Sequence, residues 1–396
     1  MRVNLNVEMF DNIIECCPLI EVLKVLCIMG FDYFKVTKLN NLKEITIWLL
    51  ENQRVEVEAP KLELLAWDSV DLEEDVEEEN VEEEDAVVRP MTCWITLPAP
   101  LYQNLKSLML RDVWILDNFF MDLDLPHKFP SLEDLTVSNC IGLQRIKISN
   151  RSLKRILLID NRQLVEAQFD VPSIVSFKYC SDSDIIPQFL FAAASSGWTS
   201  YICITMWGAV ETSWFVELKG LVASLSQSEI SIKIDFEYCA AFDLDEIGNA
   251  TIHQAPEVHE LCLGIDMFSV VEEGVSALNG IFWVCHPKTI NLLWIDEEEN
   301  EDMKHLYEML MFGRIQYQFR VLQQMMFWQH DLMKVNIEVG DQIKFGKEGK
   351  MELQQKDLDW EDFLNVLRKD GKYSRTIYFN LEWRTHMPRG VKRLRM

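Results

Sequence analysis

The strongest constraint on the fold is a set of apolar residues at fixed distances after proline. Five of the twelve prolines are followed by large apolar side chains at the second, fifth and seventh positions, and Pro187 fits only weakly through Phe189, Ala192 and Ala194. Because 48% of the chain is apolar, chance would supply about one such match among the prolines. The five triplets are Ile20/Leu23/Val25, Leu62/Leu65/Trp67, Leu132/Leu135/Val137, Ile174/Phe177/Tyr179 and Val258/Leu261/Leu263.

The same spacing recurs without proline, and it recurs at a regular step. From Leu135 to Ile156 to Phe177 each step is 21 residues, and Ile146 lies 21 residues before Ala167. A step of 20 to 29 residues between leucine-type positions is typical of leucine-rich repeats. The triplets without proline are Leu42/Ile45/Ile47, Leu105/Leu108/Leu110, Leu143/Ile146/Ile148, Leu153/Ile156/Leu158 and Leu164/Ala167/Phe169.

These repeats predict a stack of turns, each of which contributes one short strand. The three apolar side chains of a turn can be buried only against neighbouring turns. Around Ile146 successive triplets lie only ten to eleven residues apart, half of the full step. This half-step predicts that the return leg of such a turn, the segment that leads back to the next strand, is also extended. Helices are predicted at 7–16, 211–226 and 267–284. The predicted fold class is therefore α/β, a leucine-rich-repeat solenoid over residues 1–296 whose curved parallel sheet has helical or extended return legs.

The character of the chain changes at residue 297, where a small α+β C-terminal cap is predicted over 297–383. Apolar spacing predicts helices at 301–313 and 357–369. A strand is predicted around Val335, and alternating apolar residues predict another strand at 376–383. Residues 384–396 form a basic tail.

Charge narrows the classes of partner. The chain has 64 acidic and 38 basic residues, a net charge of −26, which repels nucleic acids and anionic membranes. Eleven of the acids lie in residues 71–85, and such a block predicts a solvated, disordered insertion over 71–88. A docking strip for a basic protein is the alternative interpretation of this block.

Targeting signals and cysteines indicate the compartment. The N-terminal residues carry no secretory signal pattern, and no apolar run approaches the twenty residues that a membrane span needs. The ten cysteines are spread over a chain too large to need disulfides. We therefore predict reduced cysteines and a soluble protein that is cytoplasmic, nuclear or both.

Catalytic and ligand-binding patterns are sparse. No Gly-x-Ser-x-Gly motif or phosphate-binding glycine loop occurs. His259 and Cys262 provide one pair at metal-ligand spacing but no second pair, and the acids at 243–246 and 296–299 lack the pattern of a calcium loop. We predict no enzymatic activity, no metal and no cofactor; a hydrolase that uses His253 or His286 is the remote alternative.

Strand alternation points to a binding surface, because the residue between the second and third buried positions faces away from the core. Such a mixed surface suits a protein partner, although a merely solvated face has the same composition. The positions are Lys24, Thr46, Ala66, Met109, Thr136, Lys147, Leu157, Gln168, Lys178 and Cys262. The predicted partner-binding residues among them are Lys24, Thr46, Met109, Thr136, Lys147, Gln168 and Lys178.

Four short motifs follow one another along the chain. They are Cys17-Pro18-Leu19-Ile20-Glu21-Val22-Leu23, Phe129-Pro130-Ser131-Leu132-Glu133-Asp134-Leu135, His286-Pro287-Lys288-Thr289-Ile290 and Trp328-Gln329-His330-Asp331-Leu332. In this order they resemble plant F-box/leucine-rich-repeat proteins of the FBD type, over residues 10–383. The cap would then correspond to the FBD region of that family.

The resemblance implies a role in ubiquitin transfer. Members of the family are substrate receptors of SCF-type (cullin-RING) ubiquitin ligases, in which an F-box binds the adaptor subunit and the repeats hold the protein substrate. This chain begins inside the first repeat, so we expect no adaptor binding unless an F-box is supplied. The alternative is a stand-alone repeat scaffold, unrelated to ubiquitin, that docks basic protein partners.

Overall fold

The chain folds into two compact units in a computed structural model. The first unit comprises residues 1–181 and 187–199, and the second comprises 182–186 and 200–396. The structure describes residues 7–26, 33–49, 54–69, 94–96, 102–115, 117–121, 129–192, 197–243, 255–264, 268, 270–294, 300–312, 328, 331–341, 351–353, 363–364 and 375–384.

The first unit is built almost entirely of strands. Its helices are α1 (Val7–Cys16) and α2 (Asn118–Met121). Its strands are β1 (Val22–Leu26), β2 (Tyr33–Val36), β3 (Glu44–Leu49), β4 (Arg54–Val57), β5 (Leu64–Ser69), β6 (Trp94–Thr96), β7 (Ser107–Arg111), β8 (Asp134–Ser138), β9 (Arg145–Ser149), β10 (Arg155–Ile159), β11 (Glu166–Asp170), β12 (Ser176–Ser181) and β13 (Gln188–Phe191).

Seven of these strands form one parallel sheet in the order β1-β3-β5-β7-β8-β10-β12, which we call the main sheet. In its register, the second apolar residues of successive triplets are direct partners on neighbouring strands. This register line runs through Leu23, Ile45, Leu65, Leu108, Leu135, Ile156 and Phe177.

The return legs form two further parallel sheets, β2-β4-β6 and β9-β11-β13. Ile146 pairs with Ala167 in the second of them, which confirms the extended legs predicted from the half-step. The core lies between the sheets: Phe177 of the main sheet meets Phe189 of β13 at 5.3 Å between ring centroids. The apolar residues of the two sheets therefore share one core.

Tight turns connect the legs. Asp112, Asn139 and Asp160 directly follow β7, β8 and β10 and have positive φ angles of 52°, 47° and 49°. Aspartate and asparagine tolerate this left-handed conformation better than other residues with side chains. Gly142 adopts φ +83°, and a Cβ there would press on the Trp114 side chain.

In the described residues, the second unit combines a seven-stranded sheet with three helices of more than two residues. Its sheet order is β14-β15-β16-β17-β20-β18-β19. Strand β16 pairs in parallel with β15 and with β17. The pairs β17–β20, β20–β18 and β18–β19 are antiparallel. The elements are β14 (Thr199–Glu211), α3 (Thr212–Ser224), β15 (Glu229–Ala241), β16 (Glu257–Leu263), α4 (Val271–Val284), β17 (His286–Trp294), α5 (Asn300–Phe312), β18 (Leu332–Asp341), β19 (Met351–Leu353) and β20 (Arg375–Trp383).

Helix α4 contacts this sheet at β15 and β17. Helix α3 buries Trp214, Phe215 and Leu218, and it packs on α4. Helix α4 in turn contacts β15 and α5. In the described part of the chain, no helix is long and apolar enough to cross a membrane.

The α/β class and most of the predicted elements are confirmed. Helix α1 has the predicted bounds, α3 and α5 differ from theirs by at most two residues at each end, and α4 begins four residues later than predicted. Strand β20, from the predicted cap, pairs with β17 from the predicted repeat region. The 71–88 insertion, most of the 357–369 helix and residues 385–396 lie outside the described residues.

Candidate functional site

The main sheet aligns most of the predicted binding residues in a single register line. Each residue lies between two inward-facing positions of its strand, so its side chain points away from the core. We call this line the outer row. It consists of Lys24, Thr46, Ala66, Met109, Thr136, Leu157 and Lys178, in the order of the strands.

The outer row is apolar in its middle and cationic at its ends. Lys24 and Lys178 are exposed, whereas Met109 and Leu157 are half-buried. Ala66 is 8% exposed because its small side chain lies between larger neighbours. Six strand spacings of about 4.8 Å place the two lysine positions roughly 29 Å apart.

Most charges that flank the row are already paired. The Arg155 guanidinium donates to the Asp134 carboxylate at 2.6 Å, and Arg111 lies 3.7 Å from Asp68. Burial raises the pKa of Asp68, although the Arg111 charge opposes this shift. Among the described residues, neither terminal lysine of the outer row has an ion-pair partner, so both can bind acceptors on a partner.

Trp48 also belongs to this face, although it is not among the residues predicted from the sequence. It lies two residues after Thr46 on β3 and is half-buried. The side chain hydrogen-bonds Asp68, which holds the indole against the sheet. An aromatic residue beside an apolar row is the type of side chain that anchors protein interfaces. The signal in the sequence was the spacing of two residues within one strand.

The prediction that all seven candidates share one surface is wrong for Lys147 and Gln168. They pair with each other on β9 and β11, within the β9-β11-β13 sheet. The reason is that both legs of each turn carry the same apolar spacing, so the sequence rule selects outward positions on either sheet. Gln168 there donates to Glu166 at 2.6 Å, and Lys147 is exposed.

A ladder of alternating charges stands at the beginning of the main-sheet strands. Lys43 pairs with Glu21, Lys106 with Glu63 and Lys154 with Glu133, each at 2.8 Å. The hydrogen bond between Lys106 and Glu63 raises the pKa of the ammonium and lowers the pKa of the carboxyl. The ladder leaves this edge of the sheet electrically balanced, unlike the outer row.

This ladder was not predicted, although the sequence contains a signal for it. Along the first six main-sheet strands, the residue after the first apolar position of the triplet alternates between glutamate and lysine; before β12 it is Val175. The same residues also share backbone hydrogen bonds. The Glu63 amide donates to the Lys43 carbonyl at 2.7 Å, and the Lys106 amide donates to the Glu63 carbonyl at 2.8 Å.

Potential metal and catalytic residues do not converge. In the described ranges, no three His, Cys, Asp or Glu side chains form a group that could hold a metal ion. His259 and Cys262 are three residues apart on β16, and His259 pairs with Glu229 of β15 at 3.5 Å. His286 stacks on Trp383 with ring centroids 4.4 Å apart. His253 lies outside the described residues.

Comparisons with known proteins found no match for this chain, whether with protein-family models, curated proteins or solved structures.

Proposed function

We propose that this chain is a leucine-rich-repeat protein-interaction module that corresponds to the substrate-recognition part of an SCF-type ubiquitin ligase receptor. A partner protein binds along the outer row. The module performs no chemistry itself. It acts by proximity, since holding a substrate beside a ubiquitin-charged enzyme raises the effective concentration of the reacting groups.

The repeat assignment is supported by steps of 20 to 22 residues between β1, β3 and β5 and between β8, β10 and β12. It is also supported by the residues that lie three positions after the third apolar residue of a triplet. Leucine-rich repeats place asparagine or cysteine there, and this chain has Cys140 after Val137 and Asn161 after Leu158. Both are buried and hydrogen-bond the turns.

The outer row is the observation that carries the functional proposal. Burial of Met109 and Leu157 by a partner would supply apolar contact in the middle of the row. The lysines at its ends would then bind carbonyl or carboxylate groups and set the orientation of the partner. A segment about 29 Å long with apolar residues in its middle fits these requirements.

The first experiment compares two single substitutions that add the same charge. Leu157→Arg changes the outer row, and Gln168→Arg changes the β9-β11-β13 sheet at an equally half-buried position. Quantitative mass spectrometry then measures the proteins retained by each purified variant. We expect the Leu157→Arg variant to retain about tenfold less of each specific partner than the native chain does. The Gln168→Arg variant should retain the native amount. Equal retention by both variants would refute binding at the outer row.

The second experiment addresses the ligase. The chain is fused to an F-box, or expressed with any in-frame F-box encoded upstream, and its co-precipitation with the ligase adaptor is measured. We expect adaptor binding, together with ubiquitination of partners that depends on Leu157. Adaptor binding without any change in partner ubiquitination would favour a stand-alone scaffold.

A further inference from the structure

The second unit contains a cavity at the beginning of β16 and β17 and the end of β20. Its volume is about 730 Å³. Side chains from β16, β17, β18 and β20 line it, together with Ala255, Pro256 and Arg384. None of the outer-row residues, which belong to the first unit, lines this cavity.

One wall of the cavity is an aromatic platform. The Trp383 indole stacks on His286 at an interplanar angle of 5°, and its Nε1 donates to the Pro287 carbonyl at 2.7 Å. Phe282 packs edge-on against the same indole at 5.1 Å between ring centroids. Because three contacts hold the indole, the wall is formed before any ligand arrives.

The rest of the lining is largely apolar. Leu381 and Pro256 contribute to it, and Met333 lies beside them with 57% of its surface exposed. Methionine adapts its shape to a ligand because it is unbranched and polarizable. The cavity therefore suits an aliphatic or aromatic side chain.

The charged residues of the lining indicate which ligand group accompanies that side chain. Two carboxylates of the lining are already engaged: Glu257 with Lys288, and Glu382 with Lys334 at 3.3 Å. The Arg384 side chain lines the cavity, is exposed, and has no ionic partner among the residues that the structure describes. A guanidinium in this position favours a carboxylate, which it can bind through two parallel hydrogen bonds.

The backbone fixes Arg384 at this place. Its amide donates to the Asp331 carbonyl at 2.6 Å, at the beginning of β18. The Asp331 side chain does not belong to the lining. This hydrogen bond positions the Arg384 backbone at the rim of the cavity, and the residue is exposed.

We propose that this cavity binds the C-terminal residue of a partner polypeptide. The α-carboxylate pairs with Arg384, and the apolar side chain packs against Trp383, Leu381 and Met333. A largely apolar cavity with a single available cation among its described lining residues suits a chain end, which brings one carboxylate and one side chain together. This second recognition site goes beyond the proposed function and does not rest on the outer row.

The test uses the full chain and three acetylated peptides, with binding followed by ligand-observed NMR. The first peptide ends in Gly-Leu with a free carboxylate, and the second is the same peptide as a C-terminal amide. The third carries Leu-Glu internally and ends in an amide. We expect the first peptide to bind with a millimolar dissociation constant. The other two peptides should bind at least about fivefold more weakly.

Variants separate the contributions. Arg384→Gln should abolish the preference for the free carboxylate over the amide. Met333→Ala should weaken the binding of the first two peptides to the same extent. Arg145→Gln, at an exposed arginine of the first unit, controls for net charge and should change nothing. Absent binding, equal binding of acid and amide, or an unchanged preference in Arg384→Gln would overturn the proposal. Stronger binding of the internal peptide would also overturn it and reassign the cavity to an acidic segment. Each of these results leaves the test of the outer row intact.

Discussion

Asn161 shows how a single buried polar residue holds a turn of the first unit. Its Nδ2 donates to the Val137 carbonyl at 2.9 Å, and its Oδ1 accepts from the Cys140 amide at 3.0 Å. The side chain is 4% exposed. It therefore satisfies two backbone groups of the preceding turn that water does not reach.

Asn161→Ala should lower the free energy of unfolding by about 3 kcal/mol, because it leaves a buried amide and a buried carbonyl unpaired. Asn104 provides the control. Its Nδ2 donates to the Pro60 carbonyl at 3.0 Å from an exposed position, so Asn104→Ala should cost less than about 0.5 kcal/mol. Denaturant titration measures both, and equal losses would contradict the role assigned to Asn161.

Asp68 gives the first unit a residue-level dependence on pH. Burial raises its pKa despite Arg111, so the folded chain keeps a proton at pH values where the unfolded chain has lost it. Stability then falls as pH rises from the ordinary aspartate pKa through the raised one. Below this range both states are protonated, and Asp68 causes no such loss.

Asp68→Asn removes that loss. The free energy of unfolding of the variant minus that of the native chain should be larger at pH 7 than at pH 3. Asp184→Asn, at an exposed position, controls for the change in net charge. A difference that shrinks between pH 3 and pH 7 would mean that the Arg111 pairing outweighs burial.

At the scale of elements, spacing in the sequence was sufficient to predict strand register. Residues 21 apart, such as Leu135 and Ile156, are direct partners on neighbouring parallel strands. The same spacing could not assign a strand to one of the two faces. Leu132 and Leu143 begin identical triplets, yet β8 and β9 belong to different sheets.

Helix packing in the second unit was also beyond the sequence, because it depends on which faces meet. Gly280 in α4 lies against Phe215 of α3, so closely that a Cβ at residue 280 would overlap the ring. Phe215 is fully buried and cannot move away without disturbing the core. The glycine is therefore required by the contact between the two helices.

Gly280→Ala should destabilise the protein by about 1–3 kcal/mol through overpacking. Gly220 is the matched control, since it lies in α3 and a Cβ added there would have no neighbour within 4 Å. Gly220→Ala should stabilise by about 0.5–1 kcal/mol, the ordinary gain of alanine in a helix. Thermal unfolding measures both changes. A stabilising Gly280→Ala would show that the helices do not approach this closely.

At the scale of the whole molecule, charge is distributed unevenly. The net charge is −26, and eleven of the acids lie in residues 71–85. The outer row nevertheless ends in two lysines, and the neighbouring Glu/Lys ladder is balanced. Composition predicted an acidic surface that avoids nucleic acids, but it could not reveal this cationic and apolar line because the line exists only after seven strands align.

The proposed function depends on that alignment, so site-specific photo-crosslinking at the outer row tests the proposal most directly. A photoreactive benzoylphenylalanine replaces Thr136 in one variant and Lys147, on the β9-β11-β13 sheet, in the other. The crosslinked proteins are then quantified after irradiation in cells. We predict a defined partner crosslinked from position 136 and little or none from position 147. Equal crosslinking from both positions, or crosslinking from position 147 alone, would contradict binding at the outer row.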